Sequence, residues 1–171
     1  LGPGFHLHVA GPNTHRRDEV PPEVATFHGW LQPEALRDLH ARCHVFVSPV
    51  RAEAPGPPGS GTGVVDGFPT QAAADAMSSG CLLLSANPSQ DHRRLIAGQH
   101  YVECGPDGAD VRDAVRAVAG DLGAARALAR AGAEQVRRTM DVRLGVEHKL
   151  RHMAPDAGLR LWSRRIRTPA G

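Results

Sequence analysis

The sequence predicts an α/β fold, a doubly wound parallel sheet, and three observations carry that expectation. Short apolar segments alternate with amphipathic ones along most of the chain, the order that builds right-handed βαβ crossovers. Two apolar segments, VFVSPV at 45–50 and CLLLS at 81–85, are near-continuous, as in strands covered on both faces. Most segments end at glycine or at polar, proline-bearing stretches that stop regular structure.

Taken in order, residues 5–10 (FHLHVA) alternate and stop at Gly11-Pro12, a strand ending in a tight loop. Residues 13–23 are polar and read as a loop. Residues 24–28 (VATFH) form a short strand closed by Gly29. Residues 33–42 (PEALRDLHAR) form a helix, with Pro33 in its first turn and Leu36 and Leu39 on its apolar stripe. After the strand at 45–50, residues 54–63 are almost all Gly, Pro, Ser and Ala, a composition that cannot bury a core and reads as a mobile loop. Residues 70–79 (TQAAADAMSS) form a helix ended by Gly80 and followed by the strand at 81–85. A short helix is expected at 93–97 and a last strand at 101–104 (YVEC). Asp107 can cap a helix over Val111, Ala114, Val115 and Val118. Amphipathic helices are expected over 122–139 and 142–153, and the tail from Pro155 is basic and turn-rich.

The 171 residues suit one domain with a full core. Twenty basic against 18 acidic side chains give a net charge of +2, too small to indicate a nucleic-acid partner. No apolar stretch is long enough to span a membrane, and the first residues lack the features of a signal peptide. Three widely spaced cysteines, Cys43, Cys81 and Cys104, fit reduced thiols in a cytosol. The first residue is Leu1 rather than Met, which allows either processing or a fragment of a longer protein.

In such sheets ligands sit outside the carboxyl ends of the strands. The loops that matter are then 11–14, 27–30, 48–69 and 85–91. The sharpest local signal is Asp66-Gly67-Phe68-Pro69-Thr70 opening a helix of small residues. Free N–H groups and the dipole at a helix start suit a phosphate, and a glycine there lets backbone approach it. Asp66 stands just before that turn, and Asp75 lies one to two turns into the helix, where a second carboxylate can reach sugar hydroxyls. The plainer alternative is an ordinary helix start with two solvated aspartates.

Rival patterns are poorer. Gly59-Ser60-Gly61-Thr62-Gly63 lacks the Lys-Ser/Thr of a phosphate-binding P-loop, and its spacing fails the dinucleotide fingerprint. His40, Cys43 and His44 form one short cluster, and His148 and His152 stand four apart on a helix with no Glu at the zincin position and no obvious third ligand; such short motifs arise often by chance, so no metal is expected. His6 and His8 alternate on a strand and read as structural. His28, at a strand end, is better placed to touch a base or sugar.

The ordered series of motifs resembles the C-terminal, donor-binding domain of retaining glycosyltransferases of the GT-B fold, in the large family 4 (group 1). VATFHGWLQPEALRDLHARCHVFVSPV, DGFPTQAAADAMSSGCLLLSAN and LIAGQHYVECGPDGADVRDAV are each similar to a segment of that family, in the family's order, and the likeness runs over about 5–151. The resemblance implies a Rossmann-like domain at 1–153 that binds a nucleotide sugar, such as a UDP- or GDP-sugar, with no separate cofactor. Residues 154–171 form a basic tail. It implies that Asp66 faces the donor sugar and that Gly67, Phe68, Pro69 and Thr70 form the turn beside the sugar and diphosphate. Asp75 would hold the ribose, Gly11 and Pro12 would line the nucleotide, and Ser48 and Pro49 would lead into the donor loop.

Three departures stand out. Both family glutamates are aspartates here, they are nine positions apart (75 − 66 = 9), one more than in the family pattern, and the family's basic pair after its first strand has no counterpart. One extra helical position turns a side chain by about 100°. Arg51 is the remaining candidate cation. The first strand itself is expected to be missing, together with an N-terminal acceptor domain. Because that strand is central in the order 3-2-1-4-5-6, the strands at 5–10 and 45–50 should lack their common neighbour. The expected partner is the nucleotide-sugar donor, with no nucleic acid; the tail (Leu159, Leu161, Trp162 and Ile166 among Arg160, Arg164, Arg165 and Arg167) reads first as a packed or disordered terminus with solvated charges, the alternative being contact with an anionic membrane surface. The expected location is the cytoplasm. The alternatives are a degenerate, non-catalytic partner module or half of a nucleotide-sugar epimerase.

Overall fold

The computed structural model describes residues 4–11, 14–48, 67–88, 90–105, 107–143 and 146. Two parallel sheets form its frame. β1 (Leu7–Ala10) pairs with β2 (Ala25–Gly29), with Leu7 opposite Ala25 and a register shift after Val9. β3 (Val45–Ser48) pairs with β4 (Leu82–Ser85), and β4 pairs with β5 (Val102–Glu103). No ladder joins β1 to β3 among the described residues.

The helices match the sequence pattern closely. α1 (Pro33–Arg42) starts with Pro33 in its first turn and buries Leu39 and His40. It carries the chain from the carboxyl end of β2 to the start of β3. α2 (Gln71–Ser78) is a run of small residues that buries Ala73, Ala74, Ala76 and Met77, and Gly80, with φ of 102°, closes it. α3 (Gly108–Gly120) follows Asp107, and α4 (Leu122–Met140) is capped by the Asp121 carboxylate, which accepts from the Ala124 N–H at 2.9 Å.

β4 divides the core. Leu83 faces Phe68, Ala73, Met77, Leu95, Tyr101 and Val136. Leu82 and Leu84 face the other way, onto Val115 of α3, with Phe5, Val45 and Val47 packed alongside. Alternation of side chains along a strand requires this split, and it shows why CLLLS is apolar throughout.

Two sequence expectations are corrected. Residues 93–97 are not a helix. The Asp91 carboxylate takes the Arg93 N–H at 3.0 Å and the His100 ring accepts from the Ile96 N–H at 3.0 Å. Gln135 of α4 binds the Arg94 carbonyl at 2.7 Å, and Ala97 bridges to Tyr101. These bonds satisfy the backbone groups a helix would have used. Within the expected loop at 13–23, Thr14–Glu19 form a 3₁₀ helix. Of the helix expected at 142–153, residues 142, 143 and 146 are helical and the rest lies outside the described residues. The Gly-Pro stretch at 54–63 and the basic tail also lie outside them.

Candidate functional site

The carboxyl ends of the strands carry the predicted loops. At the end of β1 and β2, Gly11 and Gly29 adopt φ of 109° and 65°, conformations that favour glycine, and the Gly11 N–H donates to the Gly29 carbonyl at 2.7 Å. These turns halt both strands at one level. Trp30 follows Gly29 at once and is 82% exposed. Sequence reasoning placed this residue only at the end of a loop. A tryptophan immediately after a strand-terminal glycine was the available signal, because a large aromatic ring left in water offers a face to stack on.

His28 is half-buried and does not stand free. Its Nε2 lies 3.0 Å from Nδ1 of His8, with the rings stacked at 5.3 Å. One nitrogen donates and the other accepts, so the two tautomers fix one another. His6 adds a ring edge 5.0 Å from His8 and bonds Thr26 through Nε2 at 2.8 Å. Burial, helped by His6, His28 and Arg42, pushes the His8 pKa down.

At the start of α2, Gly67 is exposed while Phe68 and Pro69 turn inward. The Phe68 ring lies 5.0 Å from that of Tyr101, which anchors the turn to the core. The Thr70 hydroxyl accepts from the Ala73 N–H at 3.2 Å. Ala74 donates to the Thr70 carbonyl. Among the described residues the N–H groups of Gln71 and Ala72 have no acceptor, which leaves a positive helix end behind an exposed glycine.

Asp75 is exposed on α2, and its Oδ1 accepts from the Gln71 amide at 2.8 Å. It also raises the proton affinity of His40, although burial dominates and leaves the His40 pKa lowered. The second expected carboxylate is thus drawn toward the first turn of its own helix, one turn from the exposed amides. Asp66, Pro12, Pro49 and Arg51 lie outside the described residues. Ser48 ends β3, where its carbonyl accepts from the Ser85 hydroxyl at 2.7 Å.

Beyond β4, Asn87 is buried and holds Asp91 twice, donating to its carbonyl at 3.0 Å and accepting its N–H at 3.1 Å. Asp91 in turn pairs with the exposed Arg93 at 2.7 Å, which holds its carboxyl well below the usual carboxylate range. This fixes a cation-bearing loop near the same rim. Among the described residues no group of three or more His, Cys, Asp or Glu is arranged to hold a metal ion. His40 of the His40/Cys43/His44 cluster packs edge-on against Phe46 instead. No described helix is long and apolar enough to cross a membrane.

Residues 1–150 match the family described as Glycosyl transferase-like. Among solved structures, the chain is similar to sucrose-phosphate synthase from Thermosynechococcus elongatus, with a TM-score of 0.59 and 19% identity. The likeness covers 81% of this chain and 33% of that one, so the chain spans about a third of the longer protein, and at this identity it speaks for the fold. No curated protein matches the chain.

Proposed function

The chain belongs to the glycosyl transferase-like family, and from that premise we propose that it is the donor-binding domain of a retaining GT-B glycosyltransferase of family 4. It would bind a nucleotide-diphosphate sugar, whose glycosyl group passes to an acceptor held by another domain. The observation that carries this reading is the start of α2, where exposed Gly67 precedes two amides without acceptors at the carboxyl rim of a parallel sheet.

The roles follow from placement. The Gln71 and Ala72 amides stabilise the leaving diphosphate as its charge grows. Asp66 orients the donor sugar, as the family resemblance implies. Gln71 and Asp75 act as one unit, an amide and a carboxylate that together offer donors and acceptors to ribose hydroxyls. Trp30 gives the base a stacking face, beside Gly11, Pro12 and the His8–His28 pair. Such a domain works in the cytoplasm, and its basic tail suits an acceptor held at an anionic membrane surface.

Calorimetric titration with UDP, GDP and ADP tests the reading. One of the three should bind, and Trp30→Ala should weaken it about tenfold, the scale of one lost base stack. Asp66→Ala should abolish the advantage of the intact nucleotide sugar over its diphosphate. If none of the three binds, the donor site is lost. The bond that holds Asp75 to Gln71 favours a second reading, a non-catalytic partner module that keeps the fold. Co-purification of an active subunit together with no nucleotide binding selects it.

A further inference from the structure

Three imidazoles lie together on the β1–β2 ladder, and their partners differ in kind. His6, just ahead of β1, meets two oxygens. Its Nδ1 lies 3.3 Å from the Glu23 carbonyl and its Nε2 lies 2.8 Å from the Thr26 hydroxyl. A hydroxyl can donate or accept, so His6 keeps both bonds whether neutral or protonated. His8 has no such freedom. Its Nδ1 faces Nε2 of His28 at 3.0 Å, nitrogen against nitrogen. That bond needs one neutral nitrogen to accept, and it cannot exist once both rings are imidazolium, which offers donors only.

The pairing register gives this bond its weight. Val9 stands opposite Phe27 and Ala10 opposite Gly29, so His28 has no partner on β1 in the ladder. The side-chain bond spans the step that the backbone skips. Beyond it the strands meet at Ala10 and Gly29, and the Gly11 N–H donates to the Gly29 carbonyl at 2.7 Å. The exposed Trp30 follows at once. The titratable and charged groups facing His8 are all basic: His6, His28 on β2, and Arg42 at the end of α1. No carboxylate is among them to offset a second positive charge.

We propose that the His8–His28 bond is an acid-released latch on the carboxyl end of the β1–β2 ladder. When both rings are charged, the strand ends at Gly11 and Gly29 part and Trp30 moves with them, while the amino end of the ladder stays closed. The size of the effect follows from the proton count. The closed pair accommodates one added proton and the open pair two. Each pH unit below the ordinary histidine value near 6.5 therefore favours opening about tenfold more, or about thirtyfold between pH 6.5 and 5.0. The inference needs no bound ligand and does not rest on the donor-site reading.

Amide hydrogen exchange in the full chain tests it, corrected for the intrinsic pH dependence of exchange. Gly11 reports the carboxyl end of the ladder. Leu7, whose N–H donates to the Val24 carbonyl at 2.9 Å, reports the amino end. From pH 7.5 to 5.0 the protection of Gly11 should fall at least about tenfold and that of Leu7 less than about twofold. His8→Gln should remove the fall, because an amide can donate to a neutral imidazole and accept from a charged one. His28→Gln should do the same, and it guards against a folding defect in the first variant. His6→Gln should leave the fall in place. The proposal is overturned if Gly11 protection does not change with pH, or if Gly11 and Leu7 lose protection together. It is also overturned if His8→Gln and His28→Gln both keep the fall, or if His6→Gln alone removes it.

Discussion

The β1–β2 ladder and the β3–β4–β5 sheet are built alike and buried differently. Both are parallel, and β1, β3 and β4 are four residues each, yet β4 is wholly buried and β1 is largely exposed. Composition explains part of the difference, since LHVA carries a histidine where LLLS carries leucine. It does not explain β3, which is apolar and still half-buried. A neighbour on each edge, added to cover on each face, is what completes burial. The two ladders are consequently held by different means. The three-stranded sheet relies on side chains packed between α2, α3 and α4. The two-stranded ladder relies on cross-strand polar contacts, His6 to Thr26 and His8 to His28.

Truncation should expose that difference most strongly. Leu83→Ala opens a cavity among Phe68, Met77, Leu95 and Tyr101 and should cost about 3 kcal/mol. Val9→Ala, on the half-buried ladder, should cost less than about 1 kcal/mol. Urea unfolding midpoints decide it, and equal losses would mean that the two regions share one core. Gly132→Ala comes next. Gly132 sits inside α4, where alanine would ordinarily favour the helix, but a Cβ there would stand 2.7 Å from Met77 Cε and closer still to the His100 carbonyl oxygen. Backbone cannot yield cheaply, so the substitution should destabilise by about 2 kcal/mol. A neutral or stabilising result in the same urea assay would show that α4 does not press on the 98–100 turn.

Most of the frame was legible because it is local. The apolar runs at 45–50 and 81–85, the stripe in α4 and the Gly80 stop each follow from near neighbours in sequence. The helix expected at 93–97 failed because its backbone groups are claimed from a distance, by Gln135 across 41 positions and by the side chains of Asp91 and His100. At the candidate site, the Gly67–Thr70 turn was readable as a helix entry. The Gln71–Asp75 contact was readable too, since residues four apart on a helix are neighbours. The His8–His28 contact was not, because it depends on the pairing register and on the shift after Val9, which places His28 beside the unpaired step in the ladder. Trp30 was visible as a residue and became meaningful only once its exposure was known.

The smallest effect sharpens the comparison through pH. Burial lowers the pKa of His8 on the exposed ladder, of His40 against the three-stranded sheet, and of His100 beside α4. A histidine whose pKa is depressed by folding binds its proton more readily when unfolded, so stability is full above the ordinary value near 6.5 and falls as pH drops through it. The groups facing these rings act in both directions: His6, His28 and Arg42 add to the depression at His8, Arg138 adds to it at His100, and Asp75 opposes it at His40. His40 is 6% exposed, so desolvation there is the harder to escape by local opening. The urea midpoint should therefore fall between pH 7.5 and 5.5. His40→Gln should flatten that fall more than His8→Gln, whose ring reaches water on an edge that can open. Equal slopes in both variants and the parent would place the acid sensitivity outside these rings, and a larger change from His8→Gln would make the β1–β2 ladder the region that opens first.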